Sequence, residues 1–198
     1  MSTEKLQNAN TPLRTPPEGF VWKLYGDATF LKPRVWHERE RAAATRVSAR
    51  ARVIATATYA TSPERFGETK PFEMGLTVQV IRDSRKLFGI EAKQIARAYL
   101  IPFLNAHKEK DTLFFDHDTQ GDFDHAFFRY RDAPPGGKPI IVHKFMLANN
   151  ITDSVHVFTF ESPAQTWDEN WARYGTPILS QTGVTTVISV PLAQNNVQ

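Results

Sequence analysis

The stretch PIIVHKFMLANNITDSVHVFTFESPAQTWDENW, residues 139–171, decides the fold class of this chain. It contains two segments rich in β-branched and aromatic residues, 139–148 and 154–161, and such segments are typical of strands. Asn149-Asn150 lies between them and predicts a turn. The two segments are therefore predicted to form neighbouring antiparallel strands.

A helix is predicted directly after the second of these strands. Ser162 is a favourable N-cap residue, Pro163 fits the first helical position and Gln165 can complete a capping box. The helix is predicted to run from Pro163 to Tyr174, and Gly175 is predicted to stop it. This part of the chain is therefore a sheet followed by a well-marked helix, placed near 163–174.

The rest of the chain carries more strand signals than helix signals. Further strands are predicted over 20–25, 28–31, 43–60, 72–80 and 123–131, and residues 38–41 are predicted to be a helical turn or a charged loop. A second helix is predicted near 90–106. Strands and helices do not alternate one for one, which disfavours a doubly wound nucleotide-binding sheet. The predicted fold class is α+β, with a central, mostly antiparallel sheet and helices on one or both faces.

Length and composition are those of one soluble, folded unit. The chain has 198 residues, of which 41% are hydrophobic and 23% are charged, and this is ordinary globular composition. We predict a flexible lead-in over 1–18, a single globular domain over 19–190 and a polar tail over 191–198. No apolar run approaches the length of a membrane-spanning helix, and no secretory signal is visible at the amino terminus.

Charge and cysteine content exclude several kinds of chemistry. The formal net charge is +3, so composition alone does not indicate a nucleic-acid-binding protein. The absence of cysteine excludes disulfides, thiol nucleophiles and cysteine metal ligands. The sequence has no nucleophile elbow and no glycine-rich phosphate-binding motif. It therefore favours a function without catalysis, and catalytic residues that meet only in the folded chain stay an open alternative.

Two segments resemble PsbP-like proteins. Phe72–Val80, FEMGLTVQV, resembles their strand with the pattern F-x-x-G-(L/I)-x-V-x-V. The segment from Leu31 through Pro33 to Trp36 resembles their early run from proline to tryptophan. The last strand and the tryptophan-containing helix are similar in type and position, so the resemblance covers roughly 20–180. It implies an α/β/α sandwich of the PsbP-like and DcrB-like type, and it implies a function in binding or assembly.

A basic stripe is the first candidate site. Arg46, Arg50 and Arg52 fall on one side of an alternating segment, and arginine forks suit phosphates and carboxylates. The stripe is interpreted either as a partner-binding surface or as an outward strand face paired with nearby glutamates. Residues 108–122 and 132–138 are the other predicted contact surfaces.

An acidic segment with histidines is the second candidate site. Its ligand-type residues are Asp116, His117, Asp118, Asp122, Asp124 and His125. Carboxylate and imidazole groups suit divalent ions such as Zn, Mn or Ca, although the spacing matches no EF-hand loop. The alternative interpretation is a solvated acidic loop before the strand 123–131. No cofactor other than such a metal is predicted.

Two pairs of ring side chains complete the candidates. His143 and His156 lie on neighbouring predicted strands, and they are interpreted either as a cross-strand pair of ligands or as ordinary strand residues. Trp167 and Trp171 are four residues apart on one helix face. They are interpreted as lining a ligand groove or, as is usual at this spacing, as packing against the sheet.

Taken together, these features predict a non-enzymatic protein-binding or assembly module whose partner is another protein. Metal binding through 116–125 is one alternative. Binding of an anionic partner or nucleic acid through the arginine strand 46–52 is the other.

Overall fold

Twelve strands lie within the residues that the computed structural model describes, which are 14–25, 28–41, 45–46, 52–53, 55–61, 74–98, 111–133 and 137–184. In chain order they are β1 (Phe20–Tyr25), β2 (Ala28–Pro33), β3 (His37–Arg41), β4 (Thr45–Arg46), β5 (Arg52–Val53), β6 (Ala55–Ala60), β7 (Gly75–Arg82), β8 (Thr112–Gln120), β9 (Phe123–Asp132), β10 (Ile140–Asn149), β11 (Ser154–Pro163) and β12 (Gly183–Val184).

Three helical segments accompany the strands in the described part of the chain. They are α1 (Ser84–Phe88), α2 (92–98) and α3 (164–180). The last begins with the 3-10 turn Ala164–Thr166, continues through Trp167–Asn170 and the π-helical turn Trp171–Gly175, and ends with the α-helical turn Thr176–Ser180. No helix in the described residues is long and apolar enough to cross a membrane.

Seven of these strands form one antiparallel sheet in the order β3-β6-β7-β11-β10-β9-β8. The meander β9-β10-β11 has the longest pairing, and the pairs of β10 with β11 run from Ile140↔Pro163 to Asn149↔Ser154 without a shift. This register is expected because a slip of one residue would turn every apolar side chain to the wrong face. The predicted α+β class with a mostly antiparallel sheet is confirmed.

Both faces of the sheet are buried, and each carries its own core. One face packs on α3 and on the small sheet β1-β2-β12, and its large buried residues include Phe30, Leu76, Phe145, Phe158, Phe160 and Trp167. The opposite face packs on α2, and its buried residues include Ile81, Ile95, Phe128, Val142, Met146 and Val157. Successive residues of a strand point to opposite faces, so β10 and β11 read as nearly continuous apolar runs. The predicted sandwich of helices around a central sheet is thereby observed.

Two predictions for the region before β7 are wrong. Residues 38–41, predicted as a helical turn or a charged loop, belong to β3, which pairs with β6 at one edge of the sheet. The single long strand predicted within 43–60 is divided into β4, β5 and β6. β4 and β5 pair antiparallel, with Arg46 opposite Arg52. An alternating pattern fits the two arms of a short hairpin as well as it fits one strand, and this accounts for the error.

The helix α3 differs from its prediction at both ends. Ser162 does not cap the helix: it is a buried residue of β11, one position before the strand ends, and its Oγ accepts a hydrogen bond of 2.8 Å from Asn170 Nδ2. Gly175 does not stop the helix, which continues to Ser180. A Cβ at Gly175 would meet the indole of Trp171, with Cδ2 at 2.9 Å, so the glycine serves close packing inside the helix.

The remaining predicted elements lie partly outside the described residues. Of the helix predicted near 90–106, residues 92–98 are helical and 99–106 are not described. Most of the predicted lead-in and all of the predicted tail are also outside the described ranges.

Candidate functional site

The strand β8 and its turn into β9 form the candidate site. Gln120 pairs with Phe123, so only Gly121 and Asp122 form the turn. Gly121 has φ 57°, a left-handed conformation that glycine adopts without strain. Residues 112–120 are therefore one arm of a tight hairpin, and the interpretation of this segment as an acidic loop is wrong.

A signal for this hairpin was present in the sequence. Thr112 to Phe115 have high β propensity, and Gly-Asp is a favoured two-residue turn between strands. The acidic residues that follow are depleted in strands, and for this reason the segment was interpreted as a loop.

β8 lies at the edge of the seven-stranded sheet, and it exposes apolar side chains. Leu113, Phe114 and Phe115 are 43%, 46% and 45% exposed. Phe114 pairs with Arg129 and Phe115 pairs with Phe128, so the two rings lie on opposite faces of the sheet. No strand in the described part of the chain pairs with the side of β8 that faces away from β9, which we call the outer edge of β8.

The opposite edge of the sheet is chemically different. β3 has the sequence HERER, and charged residues are the usual protection of an edge strand against unwanted pairing. Glu38 is bound to Lys23 Nζ at 3.0 Å and to Lys32 Nζ at 3.2 Å. The hydrogen bond from Lys23 is the largest cause that holds the pKa of Glu38 below its ordinary value, with Lys32 acting in the same direction against partial burial. The edge β8, which exposes three apolar side chains at one end, thus differs from the edge β3, which is charged along its length.

An acidic row lies on one face of β8. Asp116 and Asp118 pair with Phe127 and His125, so they share the face of Phe114. Both aspartates are exposed. Asp116 Oδ1 accepts the His117 N–H at 2.9 Å, and Asp118 Oδ2 accepts Gln120 Nε2 at 2.6 Å. Within the described residues, neither carboxylate has an ion pair with lysine or arginine.

The other face of the hairpin is held by one buried carboxylate. The side chain of Asp124 is only 2% exposed, and it lies 3.0 Å from His117 Nε2 and 3.5 Å from Arg97 Nε. Thr119 Oγ1 also donates to Asp124. Burial by itself raises the pKa of Asp124, but the hydrogen bonds from Thr119 and His117 and the charges of His117 and Arg97 lower it further, so the net shift is downward. Asp124 thereby fastens β8 to β9 and to α2.

The predicted metal ligands are divided by the sheet. His117 and Asp124 lie together on the sheet face that packs on α2. Asp116 and His125 lie on the opposite face of the sheet, and Asp122 lies in the turn. Burial is the main cause that lowers the pKa of His125, against the charges of nearby aspartates. Among the described residues no three potential ligands are grouped as a metal ion requires. Metal binding by these residues stays a prediction that no other observation supports.

The structure describes the backbone of Arg46 and Arg52 in the predicted arginine stripe. The backbone register places Arg46 opposite Arg52 in the pair β4-β5. Arg50 lies between them, outside the described residues. Partner binding through these arginines also stays a prediction.

The two histidines of the meander lie on one face, but they are not neighbours. His143 pairs with Phe160 and His156 pairs with Leu147, which separates them by four register positions. His143 is 4% exposed and its ring centroid is 4.6 Å from that of Trp171. Burial, assisted by the charge of Arg129, lowers the pKa of His143 to about 3. His143 is therefore a neutral core residue near pH 7.

The tryptophan pair packs against the sheet and against a cation. Trp167 and Trp171 stack with centroids 5.3 Å apart, and both contact the ring of Phe160. The guanidinium of Arg129 lies 4.3 Å from the Trp171 ring centroid and 5.0 Å from that of Trp167. Burial lowers the pKa of Arg129, and the charge of Asp168 opposes this shift. The pair thus closes the core under α3, as its spacing predicts.

The sequence interpretation did not identify one half-buried pair of charged residues. Lys144 of β10 and Glu161 of β11 lie on the sheet face that packs on α2. They are diagonal neighbours, because Lys144 pairs with Thr159, two residues before Glu161. Burial lowers the pKa of Lys144 and raises that of Glu161, and each charge partly opposes the shift of the other. A charged residue in an otherwise apolar strand was the available signal.

The fold and the site define a class of protein: an antiparallel α/β/α sandwich with an edge strand that exposes apolar side chains, and with no recognised catalytic set among the described residues. No protein-family model matches the chain, and no curated protein matches it with significance.

Solved structures that resemble this chain include a cyanobacterial PsbP and a Ran-binding protein. A cyanobacterial PsbP, CyanoP from Synechocystis sp. PCC 6803, is 11% identical with a TM-score of 0.48, and the likeness covers 89% of this chain and 98% of that one. The Ran-binding protein Mog1p of Saccharomyces cerevisiae is 15% identical with a TM-score of 0.43, covering 83% and 96%. A structure from Bacteroides thetaiotaomicron is 9% identical with a TM-score of 0.43, covering 80% of this chain and 45% of that one. Function is argued below from the chain itself.

Proposed function

We propose that this chain is a non-enzymatic protein-binding module that receives an extended segment of another protein along the outer edge of β8. The observation that carries the proposal is the exposure of Leu113, Phe114 and Phe115 on an edge strand. The proposal falls within the predicted contact segment 108–122.

Backbone chemistry supports this use of β8. Alternate N–H and C=O groups of an edge strand point away from its neighbour, and an added strand satisfies them. This form of recognition obtains affinity from main-chain hydrogen bonds and specificity from alternate side chains. β8 is nine residues long, which gives an incoming segment room for several such bonds.

The side chains of β8 support it independently. Phe114 and Phe115 lie on opposite faces, and each is nearly half exposed. A strand with apolar residues on both faces is typical of a sheet interior, where neighbours on both sides cover them. Burying an apolar side chain of this size contributes about 1.5–3 kcal/mol when complete, so covering the exposed halves of two rings is a substantial gain.

The test is a pull-down from lysate of the source organism with three tagged forms of the chain. The edge variant Phe114→Lys/Phe115→Lys places charges where the incoming segment would pack. The control variant Leu24→Lys/Val35→Lys makes the same change at apolar residues that are 66% and 77% exposed elsewhere. We expect the wild type and the control to retain the same protein, and the edge variant to retain at least about tenfold less.

Circular dichroism and thermal unfolding establish that all three forms are folded. Equal recovery by the edge variant and the wild type would overturn the proposal. An equal loss in both variants, or no stoichiometric partner for the wild type, would do so as well.

A further inference from the structure

Resting on the proposed function, we infer that the segment received by β8 is a basic strand. It carries lysine or arginine at two alternate positions, opposite Asp116 and Asp118, and an apolar residue opposite Phe114. The inference concerns the partner's chemistry and derives from the order of side chains along one face of β8.

The geometry of β8 sets this pattern. Phe114, Asp116 and Asp118 follow one another at every second residue on one face. Alternate residues of a strand are about 6.5–7 Å apart, and a strand laid beside β8 has the same repeat. Side chains directly opposite in neighbouring strands lie about 4.5–5.5 Å apart at Cβ, so every second partner residue would stand beside one member of the row.

The two carboxylates are available for such a partner. Their hydrogen bonds are to a backbone N–H and to a glutamine amide, both neutral donors. The other carboxylates of this region differ: Asp124 is paired with Arg97 and His117, and Glu38 at the opposite edge is paired with two lysines. Charge complementarity therefore favours cations on the incoming segment.

The same row argues against a second copy of this chain as the occupant. Two β8 strands paired antiparallel over their full length, about Asp116, would place Asp116 of one copy opposite Asp116 of the other. Like charges directly opposite each other destabilise a strand pair. The acidic row thus excludes the register that would otherwise bury the most backbone.

The opposite face of β8 places fewer constraints on the side chains of the incoming segment. It presents Phe115, His117 and Thr119, and His117 is already bound to Asp124. This face accepts apolar or hydroxyl side chains, so charge selection is confined to the face of the acidic row.

The test measures binding of three labelled peptides by fluorescence anisotropy. Each peptide has about ten residues, in which threonine alternates with two successive lysines, glutamines or glutamates, and valine occupies the remaining alternate positions. A strand can shift its register by one residue, so an alternating peptide can always place its variable positions beside the acidic row. We expect the lysine peptide to bind about tenfold more tightly than the glutamine peptide, and the glutamate peptide to bind least.

Two charge variants locate the selectivity. Asp116→Asn/Asp118→Asn removes the row, and Asp122→Asn/Glu169→Gln makes the same change in net charge away from the face of β8. We expect the first variant to bind the lysine and glutamine peptides equally, and the second to keep the tenfold preference. Failure of the lysine peptide to bind, or loss of its preference in both variants alike, overturns the inference.

The glutamine peptide separates this inference from the proposed function. If lysine and glutamine peptides bind the wild type equally, and Phe114→Lys/Phe115→Lys abolishes both, then β8 receives a strand without selecting cations. In that outcome the proposed function stands and the basic-strand inference is wrong. If the edge variant binds the lysine peptide as well as the wild type does, the binding lies elsewhere and both are wrong.

Discussion

His143 shows how the environment of one residue determines its charge. It lies on the face of β10 that packs on α3, next to Trp171. Its Nδ1 has no hydrogen-bond partner among the described residues. Burial is the main cause that lowers its pKa to about 3, from an ordinary value near 6.5. Between these two pH values the unfolded chain binds one proton more than the folded chain, so stability falls as the pH falls.

We therefore predict that His143→Gln reduces the dependence of stability on pH. For a single site with these pKa values, the wild type should lose about 2 kcal/mol more unfolding free energy than the variant between pH 7 and pH 5. Urea unfolding at a series of pH values measures this difference. The variant is expected to be less stable at pH 7, so the slope and not the level is the criterion. Parallel curves for the two proteins would show that His143 already accepts a proton in the folded state.

At this scale the sequence shows which residue types stand in a strand but not which groups surround them. The alternation in 139–148 predicts a strand, yet nothing local indicates that Trp171 and Arg129 would meet His143. Arg129 comes from β9 and Trp171 from α3, and the register of three elements brings them together. A charge state that depends on contacts between distant elements can therefore not be predicted from the sequence.

Among the elements, the hairpin β8-β9 is where the sequence interpretation failed and where the site lies. Local propensity marked β9 as a strand because its apolar residues alternate, but β8 carries exposed residues along nearly its whole length. A strand that buries neither face has no periodic signal, and only its turn and its pairing define it. β8 is held in place by its pairing with β9 and by the contacts of the buried Asp124.

We predict that Asp124→Asn loosens β8 while leaving the rest of the sheet intact. The amide keeps the shape of the carboxylate but loses its charge toward Arg97 and His117, and we expect a loss of about 1–3 kcal/mol. Hydrogen exchange should quicken at the amides of β8 and change little in β10 and β11. Asp122→Asn, at an exposed residue of the same hairpin, is the matched control and should exchange as the wild type does. Uniform acceleration across the sheet would mean that Asp124 supports global stability and not this strand.

For the whole molecule, the two edges of the sheet have different protection. β3 is charged along its length, whereas β8 combines apolar residues at one end with two aspartates in its middle. The general architecture could be predicted because two buried faces impose apolar patterns on β7, β10 and β11. The order of strands, and hence the identity of the edges, depends on long-range pairing that local patterns do not contain.

The aspartates of β8 are expected to keep the molecule from pairing with itself. We predict that Asp116→Thr/Asp118→Thr converts β8 into a continuous β-prone, uncharged edge, which is the usual origin of edge-to-edge association. Sedimentation velocity over a concentration series should show a larger increase in average mass for this variant than for the wild type. Asp122→Thr/Glu169→Thr makes the same change in net charge off the strand, and it should sediment as the wild type does. If the β8 variant also sediments as the wild type does, repulsion by the acidic row is not what limits self-association.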